Sequence, residues 1–201
     1  MKGCRAFTDD EIQRIVVTLS RTRDRGWFLL GLYTGFRITE LLQFQVKTVY
    51  QHNTILDEVY LSRQYMKRKR EGRVIALTIE AKHVIQQLLD DVQAHGSVFP
   101  TRYLFQSQKG NNKPITRIQA GYILKAACAQ LGITGKIGTH SMRKTFSLKL
   151  YQLTGDIYKV QQALGHKNPG TTLNYLPTDR EAIREAMSHI SYGINALTQW
   201  K

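Results

Sequence analysis

The chain has 201 residues, of which 42% are hydrophobic, which is enough for one core and predicts one domain or at most two small ones. Its formal charge of +14 favours a polyanionic partner. The absence of a run of about 18 apolar residues argues against a membrane partner and for nucleic acid. Cys4 and Cys128 have neither disulfide nor zinc-ligand spacing, and the N-terminus lacks a signal peptide's apolar stretch, so we expect a reducing, cytoplasmic setting.

Helical spacing dominates the first forty residues. Thr8 and Glu11 form a capping-box pattern before apolar residues at three- and four-residue intervals, which predicts a first helix. A second, apolar helix is predicted over residues 27–33. A third follows Gly35, where the apolar positions are Ile38, Leu41 and Leu42.

Short β-like runs come next, near residues 54–56, 59–65 and 73–77. Between the last two lies the basic, glycine-ended stretch MKRKREG, which is typical of a charged hairpin loop. These runs predict a small three-stranded antiparallel sheet.

The remainder of the chain has mostly helical patterning. Two amphipathic helices are predicted, with apolar positions Ala81, Val84, Ile85, Leu88, Leu89 and Val92, and Ala120, Ile123, Leu124, Ala127, Cys128 and Leu131. Shorter helices are predicted at 141–153, at 156–164 and after Asn168-Pro169. A last amphipathic segment has Ile183, Met187, Ile190, Ile194 and Leu197 at helical spacing. The pattern predicts a mainly helical α+β domain over 1–180 and a C-terminal helix or tail over 181–201.

Three clusters place phosphate-binding groups near the ends of predicted elements. They are Thr34-Gly35-Phe36-Arg37, then His140-Ser141-Met142-Arg143, then Leu164-Gly165-His166 followed by Tyr175. Each cluster alone is weak, because such an arginine is usually solvated, such histidines often cap helices, and Tyr175 is one of ten tyrosines.

Together and in this order, the stretches TGFRITELL, THSMRKTF and ALGHKNPGTTLNY resemble the tyrosine recombinase (phage integrase) family. The family pattern is an arginine in TGxRxxE, then HxxR, then LGH, and a tyrosine about nine residues later. The resemblance runs from Gly35 to Tyr175 and includes the basic hairpin. It implies the catalytic domain of a site-specific DNA recombinase, which cleaves and rejoins strands through a 3′-phosphotyrosyl intermediate.

The resemblance also implies a role for each motif residue. Arg37 and Arg143 would clamp the scissile phosphate, since two guanidiniums offer forked donors to its non-bridging oxygens. Tyr175 would attack it, although a phenol of pKa about 10 needs a base or adjacent cations to do so. His140 is the candidate base, and His166 is expected to donate a hydrogen bond.

A lysine from the hairpin supplies the proton to the leaving 5′ oxygen in this family, and Lys69 or Lys67 is the matching residue. The register of the following strand favours Lys69. The other basic residues of the loop would bind phosphate unspecifically. Glu40 is either a partner that holds the Arg37 guanidinium or an ordinary helix ion pair.

Two positions depart from the family pattern without touching the expected catalytic set. Lys144 stands where a second histidine is frequent, and Met142 where leucine is usual. Many relatives also carry an N-terminal DNA-clamping domain, so the chain is similar either to the short relatives that invert fimbrial promoter segments or to a fragment of a longer protein.

The expected partner is double-stranded DNA, bound by four protomers around a four-way junction, while a monomer in solution is compatible with the sequence. Neither a metal nor a nucleotide cofactor is expected. The C-terminal segment either docks on a neighbouring protomer or packs on its own domain. Two other functions are considered: a type IB topoisomerase activity, and a catalytically silent DNA-binding regulator of the same fold.

Overall fold

The computed structural model describes residues 3–61, 73–109, 111–166 and 169–173, and the single positions 184, 187 and 189. The helices are α1 Asp9–Thr18, α2 Thr22–Thr34, α3 Ile38–Leu41, α4 Val46–Val49, α5 Ile79–Ala94, α6 Arg117–Gln130, α7 Thr139–Thr154, α8 Ile157–Leu164 and α9 Pro169–Leu173. The strands are β1 Tyr50–Gln51, β2 Thr54–Ile55, β3 Glu58–Leu61 and β4 Arg73–Ala76. The mainly helical α+β class is therefore confirmed. In the part of the chain described, no helix is both long and apolar enough to cross a membrane.

The strands pair differently from the predicted three-stranded sheet. Within the described residues they form two separate two-stranded antiparallel sheets, β1 with β2 and β3 with β4. His52 and Asn53 have φ values of 50° and 59°, as a tight hairpin turn between β1 and β2 requires. This turn folds β2 back on β1, a strand of two residues that is too short to show alternation in the sequence.

The core centres on α2, which packs against both α5 and α7. Two glycines on α2 permit this close packing. A Cβ at Gly26 would lie 2.6 Å from the Leu88 side chain of α5, and one at Gly31 would lie 2.8 Å from the Met142 sulfur of α7. The unexpected Met142 thus has a packing role, and the helix that carries the HxxR motif is fixed against α2.

The second helix begins earlier than predicted, at Thr22 rather than residue 27. Its first turns contain a buried ion pair, in which Arg23 Nε lies 2.8 Å from Asp24 Oδ1, and the same oxygen accepts a hydrogen bond of 3.2 Å from Trp27 Nε1. Charged residues inside a buried helix obscure the apolar periodicity, so the sequence pattern missed this part. The predicted continuation of β3 over 62–65, and the boundary between 1–180 and 181–201, lie outside the described residues.

Residues 3–8 form what we call the N-terminal strap, which lies across the loop between α6 and α7. Arg5 donates from its backbone nitrogen to the Lys136 carbonyl at 2.8 Å, and its guanidinium donates to the Thr134 carbonyl at 2.8 Å. The same guanidinium binds both carboxylate oxygens of Glu11, at 2.5 and 2.7 Å. Phe7 donates from its backbone nitrogen to Thr145 Oγ1 on α7 at 2.9 Å. The strap therefore holds the loop that leads into α7.

Candidate active site

The first predicted site residue, Arg37, follows the left-handed end of α2. Gly35 has a φ of 61°, and a Cβ there would overlap the Phe146 ring, so this position requires glycine. The turn places Arg37 at the N-cap of α3, with its side chain 34% exposed. Arg37 therefore lies between the end of α2 and the start of α3, and its guanidinium is accessible to an anion.

Glu40 holds Arg37 through two contacts. Its Oε1 accepts a hydrogen bond of 2.7 Å from Arg37 Nη1, and its Oε2 accepts one of 2.9 Å from the Arg37 backbone nitrogen. The Glu40 side chain is only 3% exposed. Burial distinguishes this pair from an ordinary solvent-exposed helix ion pair, so of the two roles considered for Glu40 the structure supports the anchoring one.

Arg143 is a buried cation between the ends of two helices. It is 1% exposed on α7, and its guanidinium donates to the carbonyl oxygens of Gly35, the C-cap of α2, and Leu164, the last residue of α8, the latter at 2.7 Å. Helix C-termini carry partial negative charge. The two helix ends therefore stabilise the buried positive charge and fix its position.

His166 is held at every polar group the structure records for it. Its backbone nitrogen donates to the Gln161 carbonyl at 3.0 Å, and its carbonyl accepts from Gln161 Nε2 at 3.0 Å. Its Nε2 lies 3.0 Å from Arg143 Nη2, and its Nδ1 lies 3.0 Å from Thr172 Oγ1. The left-handed Gly165, with a φ of 60°, turns the chain from α8 into this position. The ring is thus packed directly against the Arg143 guanidinium.

His140 lies in the first turn of α7, where it is exposed although Ser141 and Met142 beside it are buried. Partial desolvation of the ring lowers its pKa, and the positive charges of Arg143, Arg37 and Arg117 lower it further. His140 is consequently neutral near pH 7 and able to accept a proton. Arg37 and Arg143, the two arginines of the predicted phosphate clamp, therefore both act electrostatically on His140.

Sequence reasoning missed two residues here. Arg117, at the start of α6, contributes to the field at His140, and it belongs to no recognisable motif. Thr172 contacts His166 and is fully buried, although its place within TTLNY gave no reason to prefer it to Thr171.

The structure brings together four of the six predicted site residues, namely Arg37, His140, Arg143 and His166. The other predictions, Tyr175 and the alternatives Lys69 and Lys67, lie outside the described residues. Tyr175 is two residues beyond the end of α9. Lys144, the departure beside Arg143, is 8% exposed. Over the described ranges, no group of three or more His, Cys, Asp or Glu residues is placed to hold a metal ion.

Comparison with known families gives a match to the phage integrase family model over residues 5–181. The chain belongs to the phage integrase family. The curated relative "Probable integrase/recombinase YoeC" of Bacillus subtilis (strain 168) is 34% identical over 179 residues, which cover 88% of this chain and 91% of that protein. The tyrosine recombinase XerH of Helicobacter pylori is 29% identical over 84% of this chain, but the match spans only 44% of its own length.

Solved structures of the family have the same fold. The XerA recombinase superposes with a TM-score of 0.75 at 22% identity, over 96% of this chain and 68% of that one. XerH bound to a palindromic difH substrate, in a post-cleavage complex, gives a TM-score of 0.70 at 23% identity, over 92% and 52% of the two chains. These likenesses confirm the predicted tyrosine recombinase catalytic fold.

Proposed function

We propose that this family member is a site-specific recombinase that cleaves and rejoins duplex DNA, with Tyr175 forming a covalent bond to the 3′ phosphate. The observation that carries the proposal is the convergence of Arg37, Arg143, His140 and His166 from three distant parts of the chain. Two guanidiniums, one buried and one accessible, stand beside a neutral histidine. A phosphodiester in its pentacoordinate transition state needs this distribution of charge.

In the proposed reaction the Tyr175 oxygen attacks phosphorus, a P–O bond to tyrosine forms, and the bond to the 5′ oxygen breaks. His140 takes the phenol proton, for which its lowered pKa keeps it neutral and ready. Lys69, or Lys67 in its place, gives a proton to the leaving 5′ oxygen. Arg37 and Arg143 stabilise the charge on the non-bridging oxygens, and reversal with a new 5′ hydroxyl rejoins the strand.

His166 enters the reaction beside Arg143. Its Nε2 faces a guanidinium nitrogen, which can only donate, so this ring nitrogen accepts in the present arrangement. Donation from His166 to a phosphate stays a prediction for the DNA-bound state, in which Nε2 would have to gain a proton and leave Arg143. The contact of His166 with Arg143 supports a role for the histidine in positioning the Arg143 guanidinium.

Double-stranded DNA is the proposed partner. A formal charge of +14 supports it, and the relatives of similar fold include XerH in pre-cleavage and post-cleavage complexes with difH DNA. The proposed working assembly is a tetramer on DNA formed from a species that can be monomeric in solution, because each protomer cuts one strand and recombination joins two duplexes. The reaction is proposed to take place in the cytoplasm, where two free cysteines persist.

The test is capture of covalent protein–DNA adducts on a nicked target substrate, from which the cleaved fragment diffuses away. The wild type should form adducts that survive denaturation and excess EDTA. Tyr175→Phe, which lacks only the nucleophilic oxygen, should bind the same DNA and form none. Tyr192→Phe is the matched control and should form adducts normally.

Different outcomes separate the other functions. If adducts disappear in Tyr192→Phe but persist in Tyr175→Phe, the nucleophile is Tyr192 and not Tyr175. Specific DNA binding with no adduct from any variant would favour the silent regulator. Efficient relaxation of supercoiled plasmid lacking paired target sites would favour type IB topoisomerase activity.

A further inference from the structure

Thr172 is buried on α9 and touches His166. It is 0% exposed, and its Oγ1 lies 3.0 Å from His166 Nδ1. We propose that Thr172 is a positioning residue for strand cleavage: its hydroxyl accepts the Nδ1–H of His166 and so holds the ring where its unprotonated Nε2 binds the Arg143 guanidinium. The proposal rests on the proposed function.

The tautomer follows from the chemistry of the two contacts. An arginine guanidinium has donors only, so His166 Nε2, 3.0 Å from Arg143 Nη2, must accept. A neutral imidazole carries a single N–H, which is then on Nδ1 and donates to Thr172 Oγ1. The other tautomer would set an N–H of the ring against an N–H of the guanidinium and lose the hydrogen bond to Arg143, although the Thr172 hydroxyl could still donate to an unprotonated Nδ1.

The ring cannot easily turn away from this arrangement. Gln161 binds the His166 backbone at both its nitrogen and its carbonyl, and Gly165 fixes the direction in which the chain leaves α8. The guanidinium is held in turn by the Leu164 carbonyl at 2.7 Å. With both partners fixed, the position of the histidine proton decides whether their contact is attractive or repulsive.

Thr172 also connects the phosphate clamp to the segment that leads to the nucleophile. It is three residues before Tyr175 in the sequence, and α9 packs on α8, which packs on α7. The chain of contacts runs from Arg143 on α7 through His166 to Thr172 on α9. The hydroxyl therefore links the position of the clamp to that of the helix before Tyr175.

Three variants separate a hydroxyl effect from a packing effect. Thr172→Val keeps the branched shape and removes the hydroxyl, whereas Thr172→Ser keeps the hydroxyl and removes a methyl group. Thr154→Val is the matched control, because the Thr154 hydroxyl bonds only to backbone, accepting from Asp156 N and donating to Leu150 O, near the far end of α7. Unfolding midpoints establish that each variant folds.

The first readout is the ¹⁵N NMR signature of the His166 ring in the full chain without DNA, assigned with a His166→Gln variant. The wild type should show a protonated Nδ1 and an unprotonated Nε2. Thr172→Val, which leaves the Nδ1–H without its acceptor, should change the Nδ1 chemical shift, and Thr172→Ser and Thr154→Val should not. A wild-type ring protonated on Nε2 would overturn the proposal even if Thr172→Val failed to fold.

The second readout is the single-turnover rate of covalent cleavage. Thr172→Val should lower it by about tenfold to a hundredfold, as loss of a residue that orients a site ligand does, with DNA affinity little changed. Thr172→Ser should restore most of the rate. Equal loss of rate in the valine and serine variants, with an unchanged Nδ1 chemical shift in both, indicates a packing role and contradicts the proposal, as does an unchanged rate in Thr172→Val.

The two proposals fail in different ways. If the wild type forms no covalent adduct, the proposed function is wrong, and the NMR experiment still decides whether Thr172 holds the Nδ1–H of His166. If adducts form but the valine variant matches the wild type in both readouts, only the role of Thr172 is rejected.

Discussion

Arg37 and Glu40 form an ion pair in which one carboxylate binds both the side chain and the backbone of the arginine, at 2.7 and 2.9 Å. The carboxylate is buried, while the guanidinium is one third exposed. Such a pair holds the guanidinium in one orientation before any DNA arrives. The Arg37 side chain therefore loses its conformational entropy when the protein folds and not during catalysis.

We expect Glu40→Gln to lower the single-turnover cleavage rate by about tenfold while leaving DNA affinity nearly unchanged, because the neutral amide holds Arg37 less firmly. Rates on a nicked substrate and gel-shift affinities provide the measurement. Glu58→Gln, on the exposed face of β3, is the control and should cleave normally. A parallel loss of binding and cleavage would instead mean that Glu40 serves the fold.

The lowered pKa of His140 predicts the acid limb of the pH–rate profile. As the base, His140 must be neutral, so cleavage should hold as pH falls past the usual histidine value of about 6.5 and decline only below it. His140→Gln should lack this limb. Arg117→Gln removes one of the positive charges, which should raise the pKa of His140 and move the limb to higher pH. An unchanged pH–rate profile in this variant would contradict the electrostatic effect of Arg117 on His140.

The general acid can be assigned by chemistry, since Lys69 and Lys67 lie outside the described residues. Lys69→Ala should cleave ordinary DNA about a hundredfold more slowly, the usual effect of losing a general acid. A substrate with sulfur in place of the 5′ bridging oxygen should restore its rate, because a thiolate leaves without a proton. If the sulfur substrate restores the rate of Lys67→Ala alone, Lys67 is the general acid. If it restores the rate of neither variant, neither lysine transfers the proton.

The Glu11 carboxylate on α1, which binds Arg5 of the strap, should contribute to stability in a pH-dependent way. Its hydrogen bonds from Arg5 lower its pKa below the usual 4.5, so its contribution is present above that pH and is lost as pH falls through the lowered value. Glu11→Gln should therefore destabilise the protein at pH 7 and much less at pH 3. Because the Arg5 side chain is 36% exposed, solvent screening limits the effect to about 1 kcal/mol. Asp10→Asn, in a pair exposed on both sides, is the control for denaturant unfolding at the two pH values.

The C-terminal segment offers a test of assembly. Residues 181–201 carry an apolar stripe in the sequence, and we predict that the segment docks on a neighbouring protomer in the proposed assembly on DNA. Deleting residues 182–201 should abolish the higher-order complex and spare binding of one protomer to a half-site. Native gels or analytical ultracentrifugation measure both, and an unchanged assembly would favour packing of the segment on its own domain.

The sequence predicted those parts of the site that depend on local pattern. Arg37, Arg143 and His166 each lie within a short motif that the resemblance to the family made recognisable, and Gly35 and Gly165 set the left-handed turns that two of those motifs contain. These are local requirements of the backbone, which single-sequence reasoning can recognise.

Other features depend on contacts between distant segments. The burial of Glu40 and the contact of Thr172 with His166 arise only when α3, α7, α8 and α9 have packed, so no spacing signals them. The same holds for Arg117, whose effect on His140 requires the start of α6 to approach that of α7. The two separate sheets were missed because β1 is too short to be detected by alternation.

The hydrogen bonds of Arg143 to Gly35 and Leu164 have a consequence for biosynthesis. The guanidinium joins carbonyls separated by more than a hundred residues, and its histidine neighbour comes later still. A nascent chain emerging from the ribosome cannot complete the clamp until α8 and His166 have left the exit tunnel, since domains fold as their last elements become available. A chain terminated before α8 would thus carry the basic surface and the HxxR motif without a complete clamp, so that cleavage competence can arise only after His166 has been synthesised.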